Sequence, residues 1–314
     1  MPTDPAIPPL VSVGLPVFNG ADRVGGAIES LLDQSFADFE LVISDNHSED
    51  ETWEVCRQYA DGDPRIRCVR QTTNIGANGN FNALFRMAKG RYFKWAGHDD
   101  RWDPKFLETC VRRLEENPQA VLAYCGEQYV DDQHGVERVC NDVYDISSGE
   151  PDSRYNQWMW AMEDPNDGRS DLVYGVIRSD ALHKTRLFTN TLFTNQLLVL
   201  ELVTLGTVEY VPEVMVTRSP APHRTIDQRI RRMDPTAAAR RLSFPHWGLL
   251  KEFLSVAASL DLSLDRRLAM MSKCLRFFST GRQGRRMLWD VRRSGRALFG
   301  RRSHQLSSRP IRTR

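Results

Sequence analysis

Apolar positions in the first hundred residues alternate between two rhythms. Val11-Ser12-Val13-Gly14-Leu15 is a short β-type run, closed by Pro16 and the turn residues Asn19-Gly20. Val24, Ile28, Leu31 and Leu32 then recur at helical spacing, with Asp22 placed to cap that helix. Residues 39–44 (FELVIS) are apolar almost without a break, as a strand buried on both faces of a parallel sheet must be. The run stops at Asp45-Asn46-His47-Ser48-Glu49-Asp50, which opens a helix over 51–59. Ile66-Arg67-Cys68-Val69 reads as a third strand, 74–82 as a loop leading into a helix over 83–88, and 92–95 as a fourth strand. This alternation predicts an α/β fold with a doubly wound, mostly parallel, Rossmann-like sheet.

The pattern continues with a helix over 106–116 and strands at 121–124, 173–177 and 208–216, the last preceded by a helix over 196–205. Residues 141–170 are aromatic and turn-rich without clear periodicity, and read either as an excursion facing the active site or acceptor or as a surface insertion. Over 268–278, Leu268, Met270, Met271, Cys274, Leu275, Phe277 and Phe278 fall on one half of a helical projection, with Arg266, Lys273 and Arg276 on the other. A second segment, RRMLWDVRRSGRALFGRR, adds Trp289 and more arginines.

Composition changes this picture in two places. With 41% hydrophobic and 26% charged residues over 314 positions, the chain is globular rather than disordered. The most apolar stretch, 197–205, is interrupted by Glu201 and is far short of the ~20 residues of a membrane span. MPTDPAIPPL lacks the basic and apolar regions of a secretion signal, so the expected location is cytoplasmic. The six scattered cysteines form no CxxC pair. The net charge of +1 hides an asymmetry: residues 224–314 hold 22 Lys and Arg against 6 Asp and Glu, or +16, which leaves −15 for 1–223. The expected organisation is an N-terminal tail over 1–9, an α/β domain over 10–223, and a basic, mainly helical extension over 224–314 with a disordered end. A basic amphipathic helix with aromatic residues fits an anionic membrane surface, here the cytoplasmic face. Packing of its apolar half on the α/β domain is the competing reading, and the tail has no recognisable nucleic-acid motif.

The polar clusters at 16–19, 45–50, 74–82 and 98–100 each follow a strand, and ligands of doubly wound sheets sit at the strands' carboxyl ends. Adjacent carboxylates, Asp99 and Asp100, suit a divalent cation that keeps waters and bridges to substrate phosphates; the alternative is an exposed acidic turn capping the helix that starts near Pro104. Asp45 is placed to recognise a base or ribose, or to cap a helix. The glycines of NIGANGNFN permit close backbone approach to phosphate or sugar, or a polar turn. His223 could complete a metal site or be structural. No GxGxxG follows the first strand and no GxxxxGK[ST] occurs, which leaves dehydrogenases and P-loop enzymes without support.

Together VSVGLPVFNG, ELVISDNHSED, NIGANGNFNALFRMAKGRYFKWAGHDDRWDP, LVYGVIRSDAL, LVLELVTLG and VPEVMVTRSPAPH resemble the family-two inverting glycosyltransferases of the GT-A fold, over roughly residues 10–223. The resemblance implies transfer of a sugar, by single displacement with inversion, from a nucleotide-diphosphate donor to a hydroxyl of a glycan or lipid-linked acceptor in cell-envelope polysaccharide or glycolipid synthesis. It places Pro16, Val17 and Asn19 around the nucleotide, Asp45 on the base, Asn74 and Asn78 near ribose or diphosphate, and Asp99 with Asp100 at metal (Mn²⁺ or Mg²⁺) and sugar. His223 takes the position of a histidine that in some members joins the metal or diphosphate. Two positions depart from the family. Where a D-x-D-D sequence is usual, Gly97-His98-Asp99-Asp100 keeps the last two carboxylates. Where many members have a general-base Asp before the LxELxLxG-like run, this chain has Asn195, which cannot accept a proton near neutral pH. Glu201 lies about 240° round the helix from Asn195, and Asp164 in the 141–170 excursion is an alternative acid. A catalytically impaired sugar-nucleotide-binding protein is therefore the competing function, whereas PVFNGADRVGG is a poor match to the Gly- and Arg-rich loop of a nucleotidyltransferase.

Overall fold

The computed structural model describes residues 8–131, 135–141, 143–144, 146–162, 172–191, 193–219, 228, 232 and 244–292. The chain divides into two compact units, 1–190 with 194–235, and 191–193 with 236–314.

The first unit is built on one sheet. Strands β1 (Val11–Val17), β2 (Phe39–Asp45), β3 (Ile66–Arg70) and β4 (Tyr92–Trp95) run parallel in the order β3-β2-β1-β4. The other strands are β5 (Arg101–Trp102), β6 (Ala120–Asp131), β7 (Gly135–Cys140), β8 (Val176–Arg178) and β9 (Thr207–Arg218). β8 lies antiparallel between β4 and β6, β6 pairs parallel with β9, β5 closes the edge on β9, and β7 folds back on β6. Every residue of β1 is buried, and Leu41, Val42 and Ile43 of β2 are fully inaccessible. Burying such side chains stabilises by about 1.5–3 kcal/mol each, which sets the register of the central strands.

The crossover helices are α1 (Val24–Leu32), α2 (Thr52–Gly62), α3 (Gly76–Met87), α4 (Phe106–Glu116), α5 (Pro151–Ala161), α6 (Ser179–Leu182) and α7 (Thr194–Leu205). Several expectations need correction. Asp22 does not cap α1: Arg23 takes the cap position without a side-chain bond, and the amides of Arg23 and Val24 donate instead to the Gly20 carbonyl at 3.1 and 2.9 Å. α3 begins at Gly76, not near 83. Asn74 Oδ1 accepts from the Gly76 amide at 2.9 Å, Gly76 takes a left-handed φ of 78°, and the turn-like asparagines that follow are helical residues with partners on neighbouring segments. Part of the 141–170 excursion is α5, whose periodicity is masked because Arg154 is one of its buried residues; its guanidinium donates to the carbonyls of Ser148, Gly149, Val203 and Thr204. The strand expected at 173–177 is a 3-10 turn, Leu172–Tyr174, followed by the three residues of β8.

The second unit contains α8 (Pro245–Ser259), α9 (Leu264–Ser279) and a helix over 281–292. Met270, Cys274, Phe277 and Phe278 of α9 are buried, with Phe278 edge-on to Phe253 of α8 at 5.5 Å. The apolar half expected over 268–278 is thus split, since Leu268 and Leu275 are half exposed. Asp290 accepts from the His246 backbone amide at 2.8 Å and faces its Nδ1 at 2.9 Å, which ties the 281–292 helix to the start of α8.

Candidate functional site

The loops after β1, β2, β3 and β4 are joined at one edge of the sheet. Asn19, at a left-handed φ of 49°, donates its amide to Ser48 Oγ and accepts through Oδ1 from the Glu49 amide, both at 2.9 Å. Gly20 donates to Thr52 Oγ1 at 2.9 Å. Asn46 donates to Asn74 Oδ1 and accepts from the Ile75 amide, each at 3.0 Å, so the second and third loops share a side-chain clasp. The β1–β2 register places Pro16 beside Ser44 and Val17 beside Asp45.

Asp45 is fully buried. Its Oδ1 accepts from the Ser48 amide at 3.1 Å and from Ser48 Oγ, while Oδ2 pairs with Arg70 Nε at 3.2 Å without an aligned hydrogen bond. Arg70 in turn donates to the Ser48 carbonyl at 2.7 Å. Asp45 therefore caps its own turn and keeps one oxygen short of a donor.

The fourth loop sorts its acidic pair by environment. The Asp99 carboxylate is partly open, with Arg23 Nη1 and His98 Nδ1 each 3.9 Å away. Burial holds His98 below the ordinary imidazole range, against the pull of Asp99, and its ring covers Gly20 so closely that a Cβ there would stand 2.5 Å from Cδ2. Asp100 points inward and is 5% exposed. Burial raises its pKa, opposed chiefly by Arg218, whose Nη1 lies 3.9 Å away. Arg218 donates to Glu127 Oε1 at 2.9 Å and stacks 4.4 Å from the centre of the Tyr174 ring. Burial opposes its charge, but Glu127 and Asp100 more than offset this, and its pKa is raised. Lys94 lies fully buried on β4, donating to the Tyr174 and Trp95 carbonyls at 2.9 and 3.2 Å, with the rings of Trp102 and Phe106 each 4.6 Å from Nζ. Desolvation lowers its pKa to about 8. Ser219 Oγ bonds to the Asp99 carbonyl at 3.2 Å, which links the end of β9 to the acidic loop.

Asn78 is buried and donates to the Thr189 carbonyl at 2.8 Å; Asn82 and Phe188 exchange two further bonds. These contacts hold the segment that enters α7, where Asn195 occupies the first turn. Glu201 is bound to the Arg186 side chain and amide. Asp164 and His223 lie outside the described residues. Among the described residues no three His, Cys, Asp or Glu side chains gather as a metal cluster. A cation carried by a diphosphate needs only one or two protein carboxylates, and Asp99 fits that part; Asp100, turned to Arg218, is placed to support the loop. Lys94, Arg218, Glu127 and Arg70 were not legible as site residues, although a lysine inside the strand run YFKW is a visible irregularity.

Residues 12–161 match the family described as Glycosyl transferase family 2. An uncharacterized glycosyltransferase of Rickettsia prowazekii is 31% identical over 150 residues, which are 48% of this chain and 43% of the relative. The Escherichia coli protein named UDP-Glc:alpha-D-GlcNAc-diphosphoundecaprenol beta-1,3-glucosyltransferase WfaP is 34% identical over 140 residues, 45% of this chain and 54% of its own. The chain thus spans about half the length of these relatives or less. Among solved structures, residues 1–349 of Staphylococcus aureus TarS in complex with UDP-GlcNAc superpose with a TM-score of 0.63 at 13% identity, covering 91% of this chain and 81% of that one. A mannosyltransferase from Pyrobaculum calidifontis in complex with GDP-Man and Mn²⁺ gives 0.51 at 17% identity, over 95% and 89%. Residues 12–161 thus match glycosyl transferase family 2, and the chain has the GT-A fold of these solved structures.

Proposed function

We propose that the chain transfers a sugar from a nucleoside-diphosphate donor to a hydroxyl of a glycan or lipid-linked acceptor of the cell envelope, with inversion at the anomeric carbon. The observation that carries this reading is the joining of four strand-end loops into one polar edge, with a buried Asp45 oxygen lacking an aligned donor at one side and the open Asp99 carboxylate at the other. Asp45 Oδ2, beside Val17, would take a hydrogen bond from the base once the Arg70 side chain that encloses it moves aside. The backbone near Asn19 and Asn74 would line the ribose and diphosphate. Asp99 would hold Mn²⁺ or Mg²⁺, with His223 a further candidate ligand; that ion, when bound, would neutralise charge developing on the leaving diphosphate. The name of WfaP, with its diphosphoundecaprenol acceptor, supports the lipid-linked class.

The chain's own contribution is to position. Arg218 braces the loop of Asp99 through Asp100, and Asn78 with Asn82 hold the segment that leads to α7 and Asn195. Asn195 can orient an acceptor hydroxyl but cannot take its proton, and general-base help is typically worth 10²- to 10⁴-fold. Asp164 remains the alternative acid. Asn195 and Gly97 favour a second reading, a sugar-nucleotide-binding protein of impaired catalysis. Release of nucleoside diphosphate from a panel of nucleotide sugars, with and without Mn²⁺, separates the two: the first reading requires turnover on at least one donor, the second tight binding with none.

A further inference from the structure

The second unit carries a feature that sugar transfer leaves unused. Leu264, Leu268 and Leu275 of α9 are 63%, 55% and 50% exposed, and half-buried Met271 lies among them. At 100° per residue these four fall within about 60° of arc, a single stripe. It adjoins the buried stripe of Met270, Cys274, Phe277 and Phe278, which fixes the helix in the unit. The apolar side of α9 is therefore broader than its packing covers, and its open part is already ordered. Trp247, Trp289 and Phe244 of the same unit are also more than 40% exposed.

We propose that this unit docks on an anionic lipid bilayer, with the Leu264-Leu268-Leu275 stripe of α9 entering the interface. The occupant is chosen by charge. Residues 244–292 hold nine Lys and Arg against four Asp and Glu, and one of those acids, Asp290, is buried against His246. Residues 293–314 add seven arginines and no acid. Lys273 and Arg276 are exposed on the polar side of α9, opposite the stripe, and add to the positive potential that an anionic surface would meet. A second copy on the stripe would set like charges against each other, and nucleic acid would meet the arginines but gain nothing from the leucines. A bilayer surface uses both, and tryptophan favours the same depth. The unit would lie on the membrane, because no described helix is long and apolar enough to cross one.

Vesicle flotation of the full-length chain tests this. It should float at low salt with vesicles of phosphatidylcholine and phosphatidylglycerol, remain below with phosphatidylcholine alone, and be released by high salt. Leu268→Glu with Leu275→Glu places charge at half-exposed positions, so melting temperature and donor binding should be retained while partition falls by roughly tenfold or more. Quenching of tryptophan emission by brominated anionic lipid on the unmodified chain supplies a readout that needs no variant. The proposal is overturned if the intact chain fails to float at low salt, if the folded double variant floats as well as the parent, if tryptophan emission is unquenched, or if the stripe proves to be covered by self-association in light scattering.

Discussion

The Asp100 carboxylate occupies the space beside Gly97: a Cβ on Gly97 would stand 2.5 Å from Asp100 Oδ2. The missing first carboxylate of the loop and the inward turn of its last one are therefore one structural fact. Replacing Gly97 by Asp would put a second charge against a buried carboxylate whose counter-ion, Arg218, is already shared with Glu127. Gly97→Asp should destabilise by about 1–3 kcal/mol and leave donor affinity unimproved. Thermal unfolding and donor titration of the same preparation check both halves.

Arg218 offers a larger effect. Arg218→Met leaves Glu127 and Asp100 buried without their cation, a loss on the order of 3–5 kcal/mol, visible in urea unfolding. Arg218→Lys should recover only part of it, because an ammonium cannot serve two carboxylates with the spread of a guanidinium.

Lys94 predicts a pH dependence whose sign is opposite to that of an ordinary surface ion pair. Its folded pKa of about 8 lies below the ~10.4 of an unfolded lysine, so from about pH 8 upward this group binds more proton in the unfolded chain than in the folded one. The contribution of Lys94 to stability should consequently rise with pH between about 8 and 10, by roughly 2 kcal/mol, as the cost of burying the charged form is relieved, while the buried thiols of Cys56, Cys110 and Cys125, held above their usual range in the folded chain, contribute a slope of opposite sign. In Lys94→Met this contribution should be lost, so the variant's stability should change with pH by about 2 kcal/mol less favourably than the parent's between about pH 8 and 10; identical pH profiles would contradict the assignment.

Asp45 and Ser48 separate recognition from capping. Ser48→Ala removes the hydroxyl that bonds to both Asp45 and the Asn19 amide, and should cost about 1 kcal/mol of stability with a modest change in donor affinity. Asp45→Ala removes as well the oxygen proposed to meet the base, and should weaken nucleotide binding at least tenfold beyond Ser48→Ala. Equal losses of affinity in the two variants would make Asp45 a cap alone.

The four parallel strands and their polar ends were legible because buried strands read as unbroken apolar runs and the chain leaves each at a turn-rich cluster. The start of α3 was not, since Asn78, Asn80 and Asn82 look like turn residues until their partners Thr189, Ser44 and Phe188, from 36 to 111 positions away, are known. The same distance hides the support beneath Asp99. Glu127 and Arg218 are 91 residues apart, and each reads locally as a charged interruption of a strand. Helix α5 was missed because a buried arginine satisfying four carbonyls breaks the apolar rhythm by which a helix face is recognised.

The most direct test is calorimetric titration of UDP, GDP and dTDP sugars into the full-length chain in the presence of Mn²⁺, repeated with chelator and with Asp99→Asn. At least one nucleotide sugar should bind, with affinity reduced tenfold or more by chelator and by Asp99→Asn alike, while the variant keeps its melting temperature. Absence of binding to every donor, or binding that neither chelator nor Asp99→Asn weakens, would contradict a cation-assisted nucleotide-sugar site at the ends of these strands.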